Sequence, residues 1–341
     1  MRTWTLGSLA FALATIQLSA PASVAKADDF YKNRQMKLVI GTGIGGSYNH
    51  VARTVARHLS RNIPGGPTII AQNMQGASSS KAANFVYNAA PQDGSVLLAV
   101  VQTLPQNQLF GFKNVKYDVS KFHWIGNPGS SAVLFAVWHR SPVKTIDDAK
   151  SHQVVFGAAS ARGTDGLLPV VINNVLGTKF KIVTGYKGSG VVLAIERGEI
   201  EGRGGLSWGG WQSLRPDWIR DGKIRFLLQF ALKAEKDLPN VPLAIDLAKT
   251  DEQRQILRLF STAPTLGYPL LTGPGVPADR VALLRHAFRR TMGDPRFLAD
   301  AKRSGVHVAP TYGEELQELA QQLVNYSPAI VAKAKKAMKR K

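Results

Sequence analysis

Short apolar runs alternate with amphipathic stretches along this 341-residue chain. Met36-Lys37-Leu38-Val39-Ile40 reads as a strand that runs into the glycine-rich loop GTGIGGSYN, Gly41 to Asn49. A helical pattern follows, with Val51, Val55 and Leu59 on one face and Arg53, Arg57 and Arg61 on others. Ile63-Pro64-Gly65-Gly66-Pro67 stops that helix. Thr68 to Ala71 predicts a second strand and Ser78 to Asn88 a small-residue helix. Pro91-Gln92-Asp93-Gly94 then turns into Val96 to Val101, an unbroken apolar run of the kind buried on both faces of a sheet. Strands alternating with helices predict a parallel, wound α/β sheet.

The texture changes at Phe122. Ser131 to Trp138 is an extended apolar run, and Val143 to Asp148 starts a short helix. A second α/β series begins with Val154 to Gly157, the loop Ala158 to Thr164, and a helix from Asp165 with Leu167, Leu168, Val171, Ile172 and Val175 inward. Lys181-Ile182-Val183 leads likewise into Thr184 to Ser189 and a helix reaching Arg197. Three times, then, a strand ends in a Gly/Ser/Thr loop whose last polar residue suits a helix cap: Ser47 or Asn49, Thr164 or Asp165, and Ser189. Such loops cradle anions with backbone N–H groups and the positive end of a helix. In open α/β sheets ligands lie beyond the carboxyl ends of strands. One loop in the first half and two in the second predict a cleft between two domains. In the last third, Gly267 to Leu271 reads as a strand, and Asp279 to Thr291, Pro295 to Ser304 and Glu314 to Val324 as helices that pack on the first domain.

Composition narrows the chemistry. Residues 1 to 27 carry Arg2, an apolar stretch from Leu6 to Leu18 and Ala25-Lys26-Ala27, the layout of a cleaved secretory signal, which predicts a periplasmic protein. Cysteine is absent, so disulfides and thiol chemistry are excluded. The net charge of +20 steers anions toward the protein. No helix carries a basic stripe suited to nucleic acid, and the densest cluster, Lys333 to Lys341, reads as a solvated, helix-ending charge run.

Gly41, Gly43 and Gly46 spell the dinucleotide fingerprint, but the next strand ends in Gln72 and Asn73 where a ribose-binding acid belongs. An oxidoreductase therefore rests on glycines alone. No catalytic residue, metal or cofactor is predicted: Ser207 is not read as a nucleophile, and His50 and His58 are eight positions apart, too far for one metal on a helix. Trp208, Trp211 and Trp218 read as packing residues.

The segments FYKNRQMKLVIGTGIGGSYNHVARTVARHL, IPGGPTIIAQNMQGA, NAAPQDG, SPVKTIDDAK, GAASARGTDGLLPVVINNVLG, VTGYKGSGVVLAIERGEIEGRGGLSW and GPGVPADRVALLRHAFRRTMGDPRFLADAKRSG, in this order, resemble the extracytoplasmic solute receptors of tripartite tricarboxylate transporters, the Bug or TctC type. The resemblance implies a two-domain periplasmic binding protein of type II, a Venus flytrap with its ligand cleft between domains. On that reading residues 1–27 are the signal, 28–127 with 258–341 form one domain, and 128–257 form the other. It also implies a monomer that holds a di- or tricarboxylate or an aromatic acid and passes it to two membrane subunits, with a periplasmic sensor as the alternative. Carried over by motif, the ligand residues are Gly45, Gly46, Ser47, Tyr48 and Asn49; Ala161, Arg162, Gly163, Thr164 and Asp165; Tyr186, Gly188 and Ser189; and Thr103 at the same sheet edge. Arg162 and Arg203 are candidates for clamping a second carboxylate. Many relatives carry Gly and Asp where this chain has Ser47 and Asn49, which places its ligand preference there.

Overall fold

A computed structural model describes residues 29–340 except 45–46, 131, 160, 162 and 187–189. The expected signal segment lies outside the described residues. Two sheets organise the rest. The first holds β1 (Gln35–Ile40), β2 (Thr68–Asn73), β3 (Val96–Ala99), β4 (His123–Asn127), β10 (Leu270–Thr272) and β11 (Thr311–Tyr312), in the order β11-β4-β10-β3-β1-β2. The second holds β5 (Val133–Trp138), β6 (Val154–Ala158), β7 (Phe180–Thr184), β8 (Gly202–Ser207) and β9 (Ile224–Phe230), in the order β7-β6-β8-β5-β9.

Each sheet has a parallel heart, β2-β1-β3 in one and β7-β6-β8 in the other, as the strand-helix alternation predicts. Both are mixed, however. β10 runs antiparallel between β3 and β4, and β5 runs antiparallel to β8 and β9. The antiparallel strands are those the chain inserts when it crosses from one sheet to the other and back. Helices from the last third return to the first sheet: Ala278–Gly293 and Pro295–Arg303 pack on Ser47–Asn62, and Gly313–Val324 packs on β4.

Several elements exceed what the apolar pattern predicts. β8, GRGGLS, has almost no side chain to alternate, and its strand character comes from pairing with β5 and β6. Gly202 and Gly204 fit there because an added Cβ would lie 2.1 Å from the Ala136 carbonyl oxygen and 2.8 Å from the Phe135 ring. The helix Asp251–Leu266 is capped by Thr250, whose hydroxyl accepts from Gln253 N–H, and ends after Pro264. The basic run Lys333 to Lys341 begins inside the helix Pro328–Ala337.

Ala77, Ser78 and Ser79 lie consecutively in the left-handed region, at φ +46°, +50° and +68°. Such a conformation costs a residue with a Cβ about 1–2 kcal/mol. Ser79 offsets its share: its hydroxyl donates to Gly41 O at 3.1 Å and accepts from Val101 N at 3.2 Å, tying the ends of β1 and β3 together. Gly41 permits this approach, since a Cβ there would sit 2.6 Å from Ser79 Cβ. Ser78 is exposed, and among the described residues its side chain has no such partner. Ser78→Gly is therefore expected to raise stability by about 0.5–1 kcal/mol, after allowance for the extra freedom of glycine when unfolded. Ser79→Gly should lower it, and urea midpoints of the two variants check the contrast.

Candidate functional site

A cavity of about 400 Å³ opens between the carboxyl ends of the two sheets. From the first sheet come Ser47, Tyr48, His50 and Val51, the opening turn of the helix Ser47–Asn62, and Gln102 beyond β3. Thr164, at the start of the helix Thr164–Leu176, faces them with Gly205, Leu206 and Ser207 from the end of β8. Both helices are long enough to present a positive end to the cavity.

The tyrosine is held as a neutral donor. Its hydroxyl accepts from Gln102 N–H at 3.2 Å, its ring lies 4.9 Å from that of Tyr268, and burial pushes its ionisation well above the ordinary phenol range. On the same helix His50 Nε2 donates to Ser304 O at 3.0 Å, and Asp300 accepts from His58 and Arg57 at 2.9 and 3.0 Å. Those bonds hold the Asp300 carboxyl well below its usual range and fix the wall of the cleft to the helix Pro295–Arg303. Across the cavity, Ser207 Oγ accepts from Gly210 N–H at 3.1 Å and so caps the helix Trp208–Leu214. Gly209 and Gly210 add to the lining.

Two chain crossings form the back of the cleft. Asn127, fully buried, accepts from Gly129 N–H at 3.0 Å and from Tyr268 N–H at 2.9 Å through one oxygen. It thereby staples the outgoing segment, Pro128 to Ser130, to the returning one, Pro264 to Tyr268. Gly267, at φ +56°, would place a Cβ 2.3 Å from Gly129 O, so the staple needs a glycine there.

The electrostatic character is plain. Among the described residues that line the cavity none is Asp, Glu, Lys or Arg. Hydroxyls of Ser47, Tyr48, Ser130, Thr164, Ser207 and Ser213 take their place. Such a lining suits a ligand that needs several hydrogen-bond donors and no buried counter-ion.

Of the residues expected at the site, Ser47, Tyr48 and Thr164 are brought together around this cavity. Asn49 is buried beside it, with its oxygen accepting from Arg53 Nε at 3.0 Å and Asn73 Nδ2 at 2.9 Å; Asn73 also donates to Thr42 O at 2.8 Å. Asn49 thus fastens the glycine-rich loop to the end of β2. Thr103 precedes the helix Leu104–Leu109 and accepts from Asn107 N–H through its carbonyl. Ala161 is exposed, and Gly163 precedes the helix Thr164–Leu176 as its cap residue, accepting from Leu167 N–H at 2.8 Å. Asp165 accepts from Ala159 N–H at 2.7 Å and pairs with Arg203 at 3.6 Å beneath the lining. Tyr186 follows β7, the outer strand of its sheet, and packs its ring over Gly157. Gly45, Gly46, Arg162, Gly188 and Ser189 lie outside the described residues.

Sequence reasoning missed Ser207, Gly209 and Gly210, Gly129 and Ser130, Gly267 and Tyr268, and Gly305 to His307. A signal existed in the paired glycines of GRGGLSWGG. Gly205-Leu206-Ser207-Trp208-Gly209 spells G-x-S-x-G, but Ser207 caps the helix Trp208–Leu214, and the turn after the helix Pro295–Arg303, expected only to pack, contributes Gly305 to His307. Trp208, Trp211 and Trp218 are buried in one cluster beneath the second sheet, in line with a packing role.

A mixed α/β protein of two sheets with a donor-lined cleft between them is a two-domain solute-binding receptor in architecture. The chain is matched over residues 51–335 by the family model described as the tripartite tricarboxylate transporter family receptor, TctC, and it belongs to that family. It is 23% identical over 301 residues to a UPF0065 protein of Bordetella bronchiseptica, covering 84% of this chain and 81% of that one. Among solved structures, a TctC solute binding protein from Polaromonas superposes with a TM-score of 0.69 at 18% identity, over 90% of this chain and 98% of that one. Rpa4515 of R. palustris with adipate gives 0.59 at 19% identity over 90% and 97% of the two chains. MatC of Rhodopseudomonas palustris with bound malate gives 0.58 at 19% identity over 90% and 99%. At these identities the structural likenesses show the fold. The family is one of receptors, not enzymes, which sets aside the dinucleotide reading of the first loop.

Proposed function

We propose that this receptor captures a small organic carboxylate, a dicarboxylate by preference, in the periplasm and delivers it to the membrane subunits of a tripartite transporter. The observation that carries the reading is the lining: donors converge from two helix starts and the end of β8, with no acidic side chain among the described lining residues to repel an anion. Two solved relatives of the same fold hold adipate and malate, both dicarboxylates.

In this reading residues 28–127 with 258–341 form one jaw and 128–257 the other, on a single chain released from its signal. Ser47 and Tyr48 hold the ligand first, and closure adds Thr164 and Ser207. A ligand keeps the jaws shut only through contacts it makes better in the closed form. The glycine-rich loop, the loop around Arg162 and the segment Tyr186 to Ser189 complete the proposed contacts.

Thermal denaturation against mono-, di-, tri- and aromatic carboxylates tests the class. A ligand at about 100 times its Kd adds about 2.7 kcal/mol. For a chain of this size that is a rise of about 5 °C in Tm. Dicarboxylates are expected to give it; no rise with any carboxylate overturns the proposal.

A further inference from the structure

Away from the cleft, two separate elements place cations on one stretch of surface, with Lys181 and Arg340 beside the same groove. The helix Pro328–Ala337 buries Ile330, Val331, Ala334 and Ala337 and leaves Lys335 and Lys336 exposed, followed by exposed Lys339 and Arg340. Asn174 holds the turn down by donating to Ala337 O at 2.8 Å and Lys339 O at 2.9 Å. Arg340 then shares a groove of about 370 Å³ with Lys181 of β7, Asn173, Asn174 and Thr178. Within that groove the polar atoms of Asn173 are already satisfied by Phe180 and Thr178.

The cations are not. Lys333 pairs with Glu252, but among the described residues Lys181, Lys335, Lys336, Lys339 and Arg340 have no carboxylate at ion-pair distance. Cations in a last helical turn complement its negative end, which accounts for Lys335 and Lys336. It does not account for Lys339 and Arg340 beyond the helix or Lys181 on a strand. The patch lies by the far end of the helix Thr164–Leu176, whose first residue lines the cleft, about 14 Å along its axis from Thr164 to Asn173. An occupant of the patch therefore leaves the cleft uncovered.

We infer that this patch docks on an anionic bilayer surface, where the phosphodiester headgroups supply the missing counter-charges. The cations are spread over two elements rather than converging on one point, which fits a charged surface better than a single small anion. Electrostatic docking of this kind needs no inserted apolar side chain, and each cation near such a surface adds to the attraction. It also weakens with salt.

Co-sedimentation of the chain without residues 1–27 with phosphatidylglycerol-containing vesicles, beside vesicles of phosphatidylcholine alone, tests this. Binding to the anionic vesicles only is expected, with a loss on the order of ten-fold or more in the variant K335Q/K336Q/K339Q/R340Q. The corresponding Lys→Arg variant, K335R/K336R/K339R, should bind like the parent, and Tm of each variant confirms that it is folded. No binding to anionic vesicles, equal binding to both kinds, or full binding by the Gln variant overturns the inference. The thermal shift with carboxylates, measured on the same Gln variant, stays unchanged if the cleft works as proposed, so failure of one reading is distinguished from failure of the other.

Discussion

Gly205→Ala is expected to destabilise the protein by about 3 kcal/mol and to weaken carboxylate binding at least ten-fold. Gly205 sits at φ +115°, a conformation that side-chain-bearing residues rarely adopt. Its added Cβ would lie 2.4 Å from Asp165 Cα and 2.5 Å from Asp165 N. These are backbone atoms in the first turn of a helix, so the helix start must move. Thr164, one residue earlier, lines the cavity and would move with it. Gly177→Ala is the control: its φ of +76° is also left-handed, but nothing lies within 4 Å of the added Cβ. It should cost about 1 kcal/mol and leave the carboxylate affinity alone. Urea midpoints and calorimetric titration of both variants separate backbone strain, common to the two, from displacement of the binding turn. Equal effects of the two substitutions would remove Gly205 from the site.

Local signals made the first half of the site legible and left the second half dim. β1, its glycine-rich loop and the helix with Val51, Val55 and Leu59 inward are written in contiguous residues, so periodicity and loop chemistry reach them. The same holds for β6 and the helix Thr164–Leu176. β8 offers no such pattern, because its glycines are chosen for what approaches them: Ala136, Phe135 and Asp165 are each far away in sequence. Asn49 shows the converse limit. Its type and place in the loop were right for a ligand contact, yet its partners are Arg53, one turn on, and Asn73, at the end of the neighbouring strand. A polar residue in a binding loop has two ways to be satisfied, and only the fold decides between ligand and scaffold. Thr42 and Asn49 are therefore held by the same Asn73 whose presence argues against a dinucleotide.

Arg203 poses that choice most sharply, and Asp165→Asn is expected to cost about 3 kcal/mol. The two side chains are 11% and 10% exposed and lie 3.6 Å apart. Among the described residues Arg203 Nε is buried without a partner; burial lowers the guanidinium's hold on its proton, and Asp165 offsets only part of that. Removing the acid leaves a buried cation uncompensated, whereas asparagine still offers an oxygen to Ala159 N–H. Arg203→Met should cost less, since Asp165 keeps that bond, and the double variant should be more stable than Asp165→Asn alone. That order, read from urea midpoints, is the signature of a buried pair whose members matter through each other. Binding then decides the role of Arg203. If Arg203 is a positioning residue beneath Thr164, Arg203→Met should weaken a dicarboxylate and a matched monocarboxylate by the same factor. A larger loss for the dicarboxylate would instead place its guanidinium on the second carboxylate, with Asp165 giving way as the jaws close.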